Sequence, residues 1–225
     1  MTATGIAWGV GRMTLQPLVV VGARLRVYGR ERVPLEGGIV VACNHFSWID
    51  PPALGAACPR MIRFMAKIEA HRAPGLGGLI RAFGSFPVRR GESDREAVRT
   101  MRQVVRDGHA LGLFAEGSRQ RSGVPGLVQP GAAMVALQEG VPVLPVAVHG
   151  SQTWRAGNFH PVSIAWGEPI RFEGVSRGGR GYREASVVVQ DEIRRLWEWL
   201  VEVHRLGRPR GATPPKARPV VVSDG

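Results

Sequence analysis

The chain of 225 residues is 44% hydrophobic, which allows one substantial core but is too short for two complete domains. Its formal net charge of +12 suits a surface held near phosphates, but charge alone does not choose between nucleic acid, anionic lipid and an acidic carrier protein. The two cysteines, Cys43 and Cys58, argue against a disulfide scaffold or a zinc site built on cysteine pairs, and they indicate a reducing compartment.

The N-terminal segment is apolar but shorter than a membrane span. No run of about 18 uninterrupted apolar residues occurs, and Arg12 and Pro17 interrupt the apolar stretch that a signal peptide needs. We therefore expect residues 1–28 to form an interfacial helical segment that is apolar on one side and lies on a membrane surface. Its cationic border consists of Arg12, Arg24, Arg26 and Arg30. The alternative is an ordinary helix that packs on the core.

Short apolar runs that are rich in β-branched residues are typical of buried strands. They cover residues 38–43, 61–66, 110–115, 141–148 and 162–166. Helical patterns separate these runs, and the alternation predicts an α/β fold with a mixed, largely parallel sheet flanked by helices. Ligands of such folds bind at the carboxyl ends of the strands.

The helices are indicated by start signals or by apolar periodicity. Asp50 followed by two prolines is typical of a helix N-cap and first turn. Ser93 and Glu96 form a capping box for a helix that Gly108 ends, and a further helix is expected over residues 131–139. The last helix carries an apolar stripe of Ile193, Leu196, Trp197, Leu200 and Val201. Residues 29–204 then form one domain, and we expect the basic tail, residues 205–225, to be disordered.

The first loop with residues suited to chemistry is N-H-F-S-W-I-D, which begins at Asn44. His45 ends an apolar strand and Asp50 begins the next helix. A loop of this length can fold back so that the Asp50 carboxylate binds one imidazole nitrogen and leaves the other basic. Such a pair can act as a general base on a hydroxyl group. The alternative is a helix cap beside a structural histidine.

Two further strand-end loops supply cations that match phosphate oxygens. Arg89 and Arg90 follow a short apolar strand, and the guanidinium group binds phosphate in a bidentate manner. In the sequence F-A-E-G-S-R, Gly117 permits a sharp turn, Arg119 offers a further guanidinium, and Glu116 can orient an arginine or hydrogen-bond a bound substrate. The alternatives are solvated surface arginines and a turn with a surface ion pair.

In order and spacing, these loops resemble the motifs of the lysophosphatidic acid acyltransferases of phospholipid synthesis (1-acyl-glycerol-3-phosphate acyltransferases), over residues 27–150. The resemblance implies that His45 is the catalytic base and that Asp50 orients it. It also implies an acceptor-phosphate site formed by Lys67, Arg89, Arg90, Glu116, Gly117, Ser118 and Arg119. Ser118 and Ala115 stand where the family commonly has threonine and proline, which leaves the preferred acceptor open.

The same resemblance implies the reaction. His45 removes the hydroxyl proton of 1-acyl-glycerol-3-phosphate as that oxygen attacks the thioester of acyl-CoA or acyl-carrier protein, giving phosphatidic acid without a metal or other cofactor. Pro142 and Pro145 shape a strand that borders the acyl site. Residues 29–204 are then the acyltransferase domain of a peripheral or monotopic protein, held on the anionic lipid of the cytoplasmic membrane face, with no nucleic-acid partner expected.

Alternatives remain open at the level of sequence. Cys43 could form an acyl-enzyme, although a small buried core residue is the simpler interpretation, and the serine nucleophile pattern G-x-S-x-G is absent. Within the enzyme class, the acceptor could be another lyso-lipid or a glycolipid. Outside it, a basic nucleic-acid-binding protein would explain the charge but lacks an aromatic-basic RNA motif. A non-catalytic lipid-binding module would not need the pair of His45 and Asp50.

Overall fold

The structure is a computed structural model, and it describes residues 3–74, 77–78, 80, 85–88 and 94–218. The described strands are β1 Arg26–Tyr28, β2 Ile39–Cys43, β3 Ile62–Lys67, β4 Phe86–Val88, β5 Ala110–Phe114, β6 Val143–His149 and β7 Ser163–Trp166. The described helices are α1 Ala3–Gly22, α2 Asp50–Ala57, α3 Ile68–Arg72, α4 Asp94–Arg106, α5 Gly131–Glu139 and α6 Gly179–Arg205, with a 3-10 turn at Arg30–Arg32.

These strands form a sheet in the order β1-β7-β6-β2-β5-β3-β4. Neighbouring strands run parallel, except that β6 and β7 are antiparallel. The predicted α/β fold with a mixed, largely parallel sheet is therefore confirmed. Cys43, at the end of β2, lies opposite Phe114 of β5 and Val146 of β6, so that β2 and β5 end side by side at one edge of the sheet.

The strand β2 lies at the centre of the sheet because its sequence is apolar at every position. Successive side chains point to opposite faces of the sheet. Val41 belongs to the buried cluster that includes Leu54 of α2, whereas Val40 belongs to the cluster that includes Val105 of α4 and Val135 of α5. Helices thus cover both faces, and the packed sheet holds the loops at its carboxyl edge in fixed positions.

The helix boundaries follow most of the sequence signals. The helix α5 covers the predicted residues 131–139, and α4 ends just before Gly108, whose φ of +78° suits glycine. Ser93 of the predicted capping box lies outside the described residues. In α6, Leu200 is buried as predicted, but Val201 is 39% exposed because successive helical residues point about 100° apart.

The N-terminal helix α1 packs against α2 and also presents apolar side chains to solvent. The Gln16 side-chain nitrogen donates a hydrogen bond to a carbonyl oxygen of α2, at 3.0 Å. Leu18 and Val21 are 68% and 65% exposed. No helix within the described ranges is long and apolar enough to cross a membrane. The prediction that residues 1–28 are helical is wrong for residues 26–28, which form β1 and pair with β7. The Arg12 side chain lies outside the described part, and the interfacial role of the segment stays a prediction.

The segment that follows α6 packs against the edge of the sheet. The buried Arg208 guanidinium donates to the Ser163 hydroxyl oxygen at 3.0 Å. It also donates to the carbonyl oxygens of Arg24 and Val162, at 2.6 and 2.9 Å. The prediction of a disordered tail from residue 205 is therefore wrong for residues 206–218. The polar composition of this segment suggests disorder. Arg208 is one of its polar residues, however, and the hydrogen bonds of Arg208 anchor the segment to the sheet.

Candidate active site

The side chains of His45 and Asp50 are in contact just beyond the carboxyl end of β2. The His45 Nδ1 lies 2.8 Å from Asp50 Oδ2; the carboxylate is buried, and 16% of the imidazole side chain is exposed. The predicted contact between the two residues is thus confirmed, whereas the role of His45 as a base stays a prediction. An ionised carboxylate only accepts hydrogen bonds, so Nδ1–H is the donor and Nε2 carries the basic lone pair.

Asp50 is held by the backbone of its own loop. Its Oδ2 also accepts hydrogen bonds from the N–H groups of Phe46 and Ser47, each at 2.7 Å. The N-cap position predicted for Asp50 is wrong by one residue, because α2 begins at Asp50 and Ile49 is the N-cap. The partial positive charge at the start of α2 stabilises the Asp50 carboxylate. Its hydrogen bonds, however, go to the preceding loop and fix that loop around the imidazole.

The side chain of Asn44 continues the sheet beyond β2. Its Oδ1 accepts the Val148 N–H at 2.8 Å, and its Nδ2 donates to the Val148 carbonyl oxygen at 3.0 Å. The buried amide therefore takes the place of one further pair of backbone groups between β2 and β6. This pairing ties the loop that carries His45 to the end of β6. Sequence reasoning did not predict it, since no spacing pattern links residues so far apart.

An aromatic stack supports one face of the His45 ring. The ring centroids of His45 and Phe114 are 3.9 Å apart, with an angle of 20° between the planes. Phe64 continues the stack, at 5.9 Å from Phe114. Phe114 reaches His45 because β5 lies beside β2 in parallel register. Sequence reasoning gave Phe114 no role, and its place at the end of a predicted strand was the available signal.

Glu116 connects the loop that carries His45 with the loop that follows β5. Its Oε2 accepts the His45 N–H at 2.8 Å, and its Oε1 accepts the Gly126 N–H at 2.7 Å. Burial raises the pKa of the Glu116 carboxyl, and these two N–H groups partly offset the effect. Each oxygen of the buried carboxylate thus accepts a backbone N–H, and the expectation that Glu116 binds the acceptor or orients an arginine stays a prediction.

Gly117, Ser118 and Arg119 lie on an exposed turn that directly follows Glu116. The φ of Gly117 is +72°, as the predicted sharp turn requires. The N–H of Gln120 donates to the His45 carbonyl oxygen at 2.7 Å and keeps the turn beside the candidate base. The turn places Ser118 and Arg119 at the same edge of the sheet as His45, and their contact with a phosphate stays a prediction.

The other predicted cations are only partly described. Lys67 is the last residue of β3 and lies opposite Val88 of β4, at the edge of the sheet where β2 and β5 end. The Lys67 side chain and the residues Arg89 and Arg90 lie outside the described part of the chain. Their predicted contacts with the acceptor phosphate therefore stay predictions.

Cys43 has the environment of a core residue. Its side chain is fully buried at the end of β2. Burial raises the pKa of the Cys43 thiol well above its ordinary value, and the nearby carboxylates of Asp50 and Glu116 raise it further. Because the thiolate is the reactive form, this environment disfavours the acyl-enzyme alternative.

The fold and the site define an α/β protein with a histidine held by a carboxylate at the carboxyl edge of a largely parallel sheet. The sequence model of the family described as Acyltransferase matches residues 24–149, which is more than half of the chain. This protein therefore belongs to the Acyltransferase family. The family resemblance stated from its motifs is confirmed.

Curated relatives share the same region. The chain is similar to 1-acyl-sn-glycerol-3-phosphate acyltransferase of Bacillus subtilis, at 31% identity over 127 residues that cover 56% of this chain and 63% of the relative. It is also similar to lyso-ornithine lipid O-acyltransferase of Pseudomonas aeruginosa, at 32% identity over 106 residues that cover 47% of this chain and 40% of the relative. The matches thus span less than two thirds of the length of either relative.

A solved structure shares the fold. The crystal structure of the 1-acyl-sn-glycerophosphate (LPA) acyltransferase PlsC from Thermotoga maritima matches with a TM-score of 0.64. The match covers 91% of this chain and 84% of that chain, at 24% sequence identity. At this identity the likeness supports the architecture, and the chemistry is argued from the residues of this chain.

Proposed function

We propose that this protein transfers a fatty acyl chain from a thioester donor to the free hydroxyl of 1-acyl-glycerol-3-phosphate, giving phosphatidic acid. The observation that carries the proposal is the contact of 2.8 Å between His45 and Asp50, which leaves Nε2 basic at the strand edge where ligands of such folds bind. Family membership and the name of the Bacillus relative support the choice of acceptor.

The proposed step is direct attack on the thioester. His45 Nε2 takes the hydroxyl proton while the acceptor oxygen forms a bond to the acyl carbonyl carbon, and the imidazolium that results is stabilised by Asp50. Collapse of the tetrahedral intermediate breaks the carbon–sulfur bond, and the proton on Nε2 passes to the leaving thiolate. Backbone N–H groups near Gly117 or at the start of α2 are the candidate donors to the oxyanion. The step requires no metal or other cofactor.

The acceptor phosphate is proposed to bind beside His45, near Lys67, the last residue of β3, and Arg119, in the loop that follows the neighbouring strand β5. A guanidinium binds two phosphate oxygens at once, and an ammonium adds a point charge. Arg89 or Arg90 is proposed to complete this site. The bound phosphate would hold the acceptor hydroxyl next to Nε2, which converts an encounter between two molecules into a step within one complex.

Another lyso-lipid is the second candidate acceptor. The similar protein of Pseudomonas aeruginosa is named for a lyso-ornithine lipid, at an identity comparable to that of the Bacillus relative. A zwitterionic head group would need fewer cations than a phosphate monoester. The acceptor therefore depends on whether the cationic residues at the strand edge bind phosphate.

The location proposed for this activity is the cytoplasmic face of a membrane, as a peripheral or monotopic protein. The acceptor is a lipid, and α1 presents Leu18 and Val21 to solvent. The formal net charge of +12 complements an anionic lipid surface. Nucleic acid is not a proposed partner.

The test is an assay of the purified full chain with a panel of acceptors and donors. Lysophosphatidic acid, lyso-ornithine lipid and a lyso-glycolipid are each offered with acyl-CoA and with acyl-carrier protein, and products are identified by mass spectrometry. We expect phosphatidic acid to form with the highest kcat/KM, and the same panel identifies the donor. Transfer to lyso-ornithine lipid alone would establish the second candidate, and no transfer to any acceptor would contradict the proposed activity.

A further inference from the structure

We propose that residues 153–160, termed the Phe159 loop, form a membrane-docking element separate from α1, with Phe159 inserting into an anionic lipid bilayer. The inference rests on the proposed function, because an enzyme that acts on a lipid acceptor must bring its site to the bilayer. Its main observations concern the Phe159 loop, and its deciding measurements, dye fluorescence and vesicle affinity, require no turnover.

The backbone of Phe159 is held in a conformation that bulky residues rarely adopt. Its φ is +49°, in the left-handed region that favours glycine and asparagine. The side chain is 52% exposed, so burial in the core does not compensate for the strain. Strained residues of this kind persist where the surroundings fix them, and they cluster at sites that bind or switch.

Asn158 fixes the shape of the Phe159 loop. Its Oδ1 accepts hydrogen bonds from the N–H groups of Arg155 and His160, at 3.1 and 3.0 Å. Its Nδ2 donates to the Thr153 carbonyl oxygen at 3.0 Å. The loop is therefore closed on itself by one side chain, and it presents Phe159 to solvent as an ordered feature.

The loop lies beside both the candidate active site and the end of α1. The rings of Trp154 and Trp48 are 5.0 Å apart, and Trp48 lies in the loop that carries His45. Trp154 Nε1 donates to the carbonyl oxygen of Gly22, the last residue of α1, at 3.0 Å. A bilayer that contacts α1 and the loop that carries His45 therefore also contacts the Phe159 loop.

The surface around the loop is apolar and cationic, which matches an anionic bilayer rather than a nucleic acid. Residues 150–162 and 205–218 contain no aspartate or glutamate, and the exposed Glu202, in the last turn of α6, is paired with Arg205. Among the basic side chains of this end of the fold, Arg24, Arg155 and Arg210 are exposed. The large apolar side chains exposed at the end of α1, in the loops after β2 and β6 and after α6 include Leu18, Val20, Val21, Trp48, Phe159 and Leu206. Interfacial elements of membrane-bound proteins combine these two properties, because the apolar groups enter the acyl region while the cations remain at the head groups.

A label at position 159 tests insertion directly. Because Cys43 and Cys58 are fully buried, Phe159→Cys can be labelled selectively with an environment-sensitive thiol dye. The matched control is Leu35→Cys, since Leu35 is 68% exposed in the loop before β2, at the opposite end of the sheet. With vesicles of phosphatidylcholine and phosphatidylglycerol, we expect a blue shift at position 159 and none at position 35. Equal shifts at the two positions, or none at 159, would overturn the proposal.

The second arm measures affinity in the full chain. Asparagine tolerates the left-handed backbone, so Phe159→Asn should keep the melting temperature while weakening binding to anionic vesicles about tenfold. Leu35→Asn should leave vesicle affinity unchanged. Acyl transfer to a water-soluble short-chain acceptor is measured in parallel and should survive in both variants, so that a missing activity is distinguished from a missing docking contact. A folded Phe159→Asn protein that binds vesicles as tightly as the parent would contradict the inference.

Discussion

Asp50 Oδ2 accepts hydrogen bonds from the backbone N–H groups of Phe46 and Ser47 and from the imidazole of His45. The two backbone donors fix the carboxylate before any substrate arrives, and the third contact sets the tautomer of the histidine. The carboxylate is also buried, where an uncompensated charge would be unfavourable. Its hydrogen bonds therefore fix both the fold of the loop and the tautomer of His45.

The first prediction concerns the charge of Asp50. In Asp50→Asn the amide can accept fewer of these hydrogen bonds and no longer stabilises an imidazolium. We expect the catalytic rate to fall about 10²–10⁴-fold. The measurement is kcat for acyl transfer alongside circular dichroism, and a folded variant that retains parental kcat would show that Asp50 only shapes the loop.

The second prediction concerns Arg119. Lysine keeps the positive charge but cannot bind two phosphate oxygens with one planar group. Arg119→Lys should therefore raise KM for the phosphate-bearing acceptor more than KM for the acyl donor. The matched control is Arg177→Lys, at an exposed arginine in the loop before α6, and it should change neither constant. Equal effects of Arg119→Lys on both substrates would mean that this arginine is structural.

At the scale of elements, the predicted strands and helices were located because their signals are local. The run from Ile39 to Cys43 is apolar at every position, and it forms the buried central strand β2. The strand predicted over residues 141–148 is present but begins at Val143 and includes Pro145, although proline lacks the N–H of a central strand. Local sequence signals therefore predict the presence of a strand or helix better than they predict the residues at which it begins and ends.

The sequence predicts only part of the candidate site, because only some of its contacts are local. The pairing of His45 with Asp50 spans a few residues, and its spacing is visible in the sequence. The hydrogen bonds of Glu116 and the stacking of Phe114 join loops that the sheet brings together from distant parts of the chain. No pattern within one segment determines which of several polar groups a buried carboxylate will bind, so the sequence does not predict the backbone hydrogen bonds of Glu116.

The third prediction concerns the turn after β5. Gly117 has a φ of +72°, and a Cβ there would meet only the Gln129 side chain, at 3.6 Å, so backbone strain is the main cost. Gly117→Ala should lower the free energy of unfolding by about 1–2 kcal/mol. The control is Gly55→Ala within α2, where no atom lies within 4 Å of the added Cβ. This variant should raise the free energy of unfolding by about 0.5–1 kcal/mol in urea titrations. A Gly117→Ala protein as stable as the parent would contradict the strain argument.

At the scale of the whole molecule, the C-terminal segment and the last turn of α6 close the side of the sheet that carries β7 and β1. His204 Nε2 and Arg208 Nε both contact the Ser163 hydroxyl oxygen, at 2.8 and 3.0 Å. His149, at the end of β6, meets the His204 ring with 4.5 Å between centroids. The segment predicted to be disordered therefore takes part in a polar cluster with β6, β7 and the end of α6.

The fourth prediction concerns this cluster. Burial lowers the pKa of His149 to about 4 and of His204 to about 3, with further lowering of the His204 pKa by nearby Arg208 and of both by His160. The unfolded chain binds these protons at the ordinary pKa of 6.5, so the unfolded state binds more protons below that pH. The free energy of unfolding should fall as the pH falls from about 6.5 towards about 4, and His204→Gln should make this dependence shallower. Urea titrations across that range measure it, and identical slopes in parent and variant would contradict the assignment.

The central claim is that His45 acts as the base in acyl transfer at the carboxyl edge of the sheet. The most direct test is the rate of phosphatidic acid formation by the parent and by His45→Ala, with matched circular dichroism and melting temperature as controls for the fold. Removal of a positioned general base should lower kcat about 10²–10⁴-fold while the fold is retained. A folded His45→Ala protein that forms phosphatidic acid at nearly the parental rate would contradict the account.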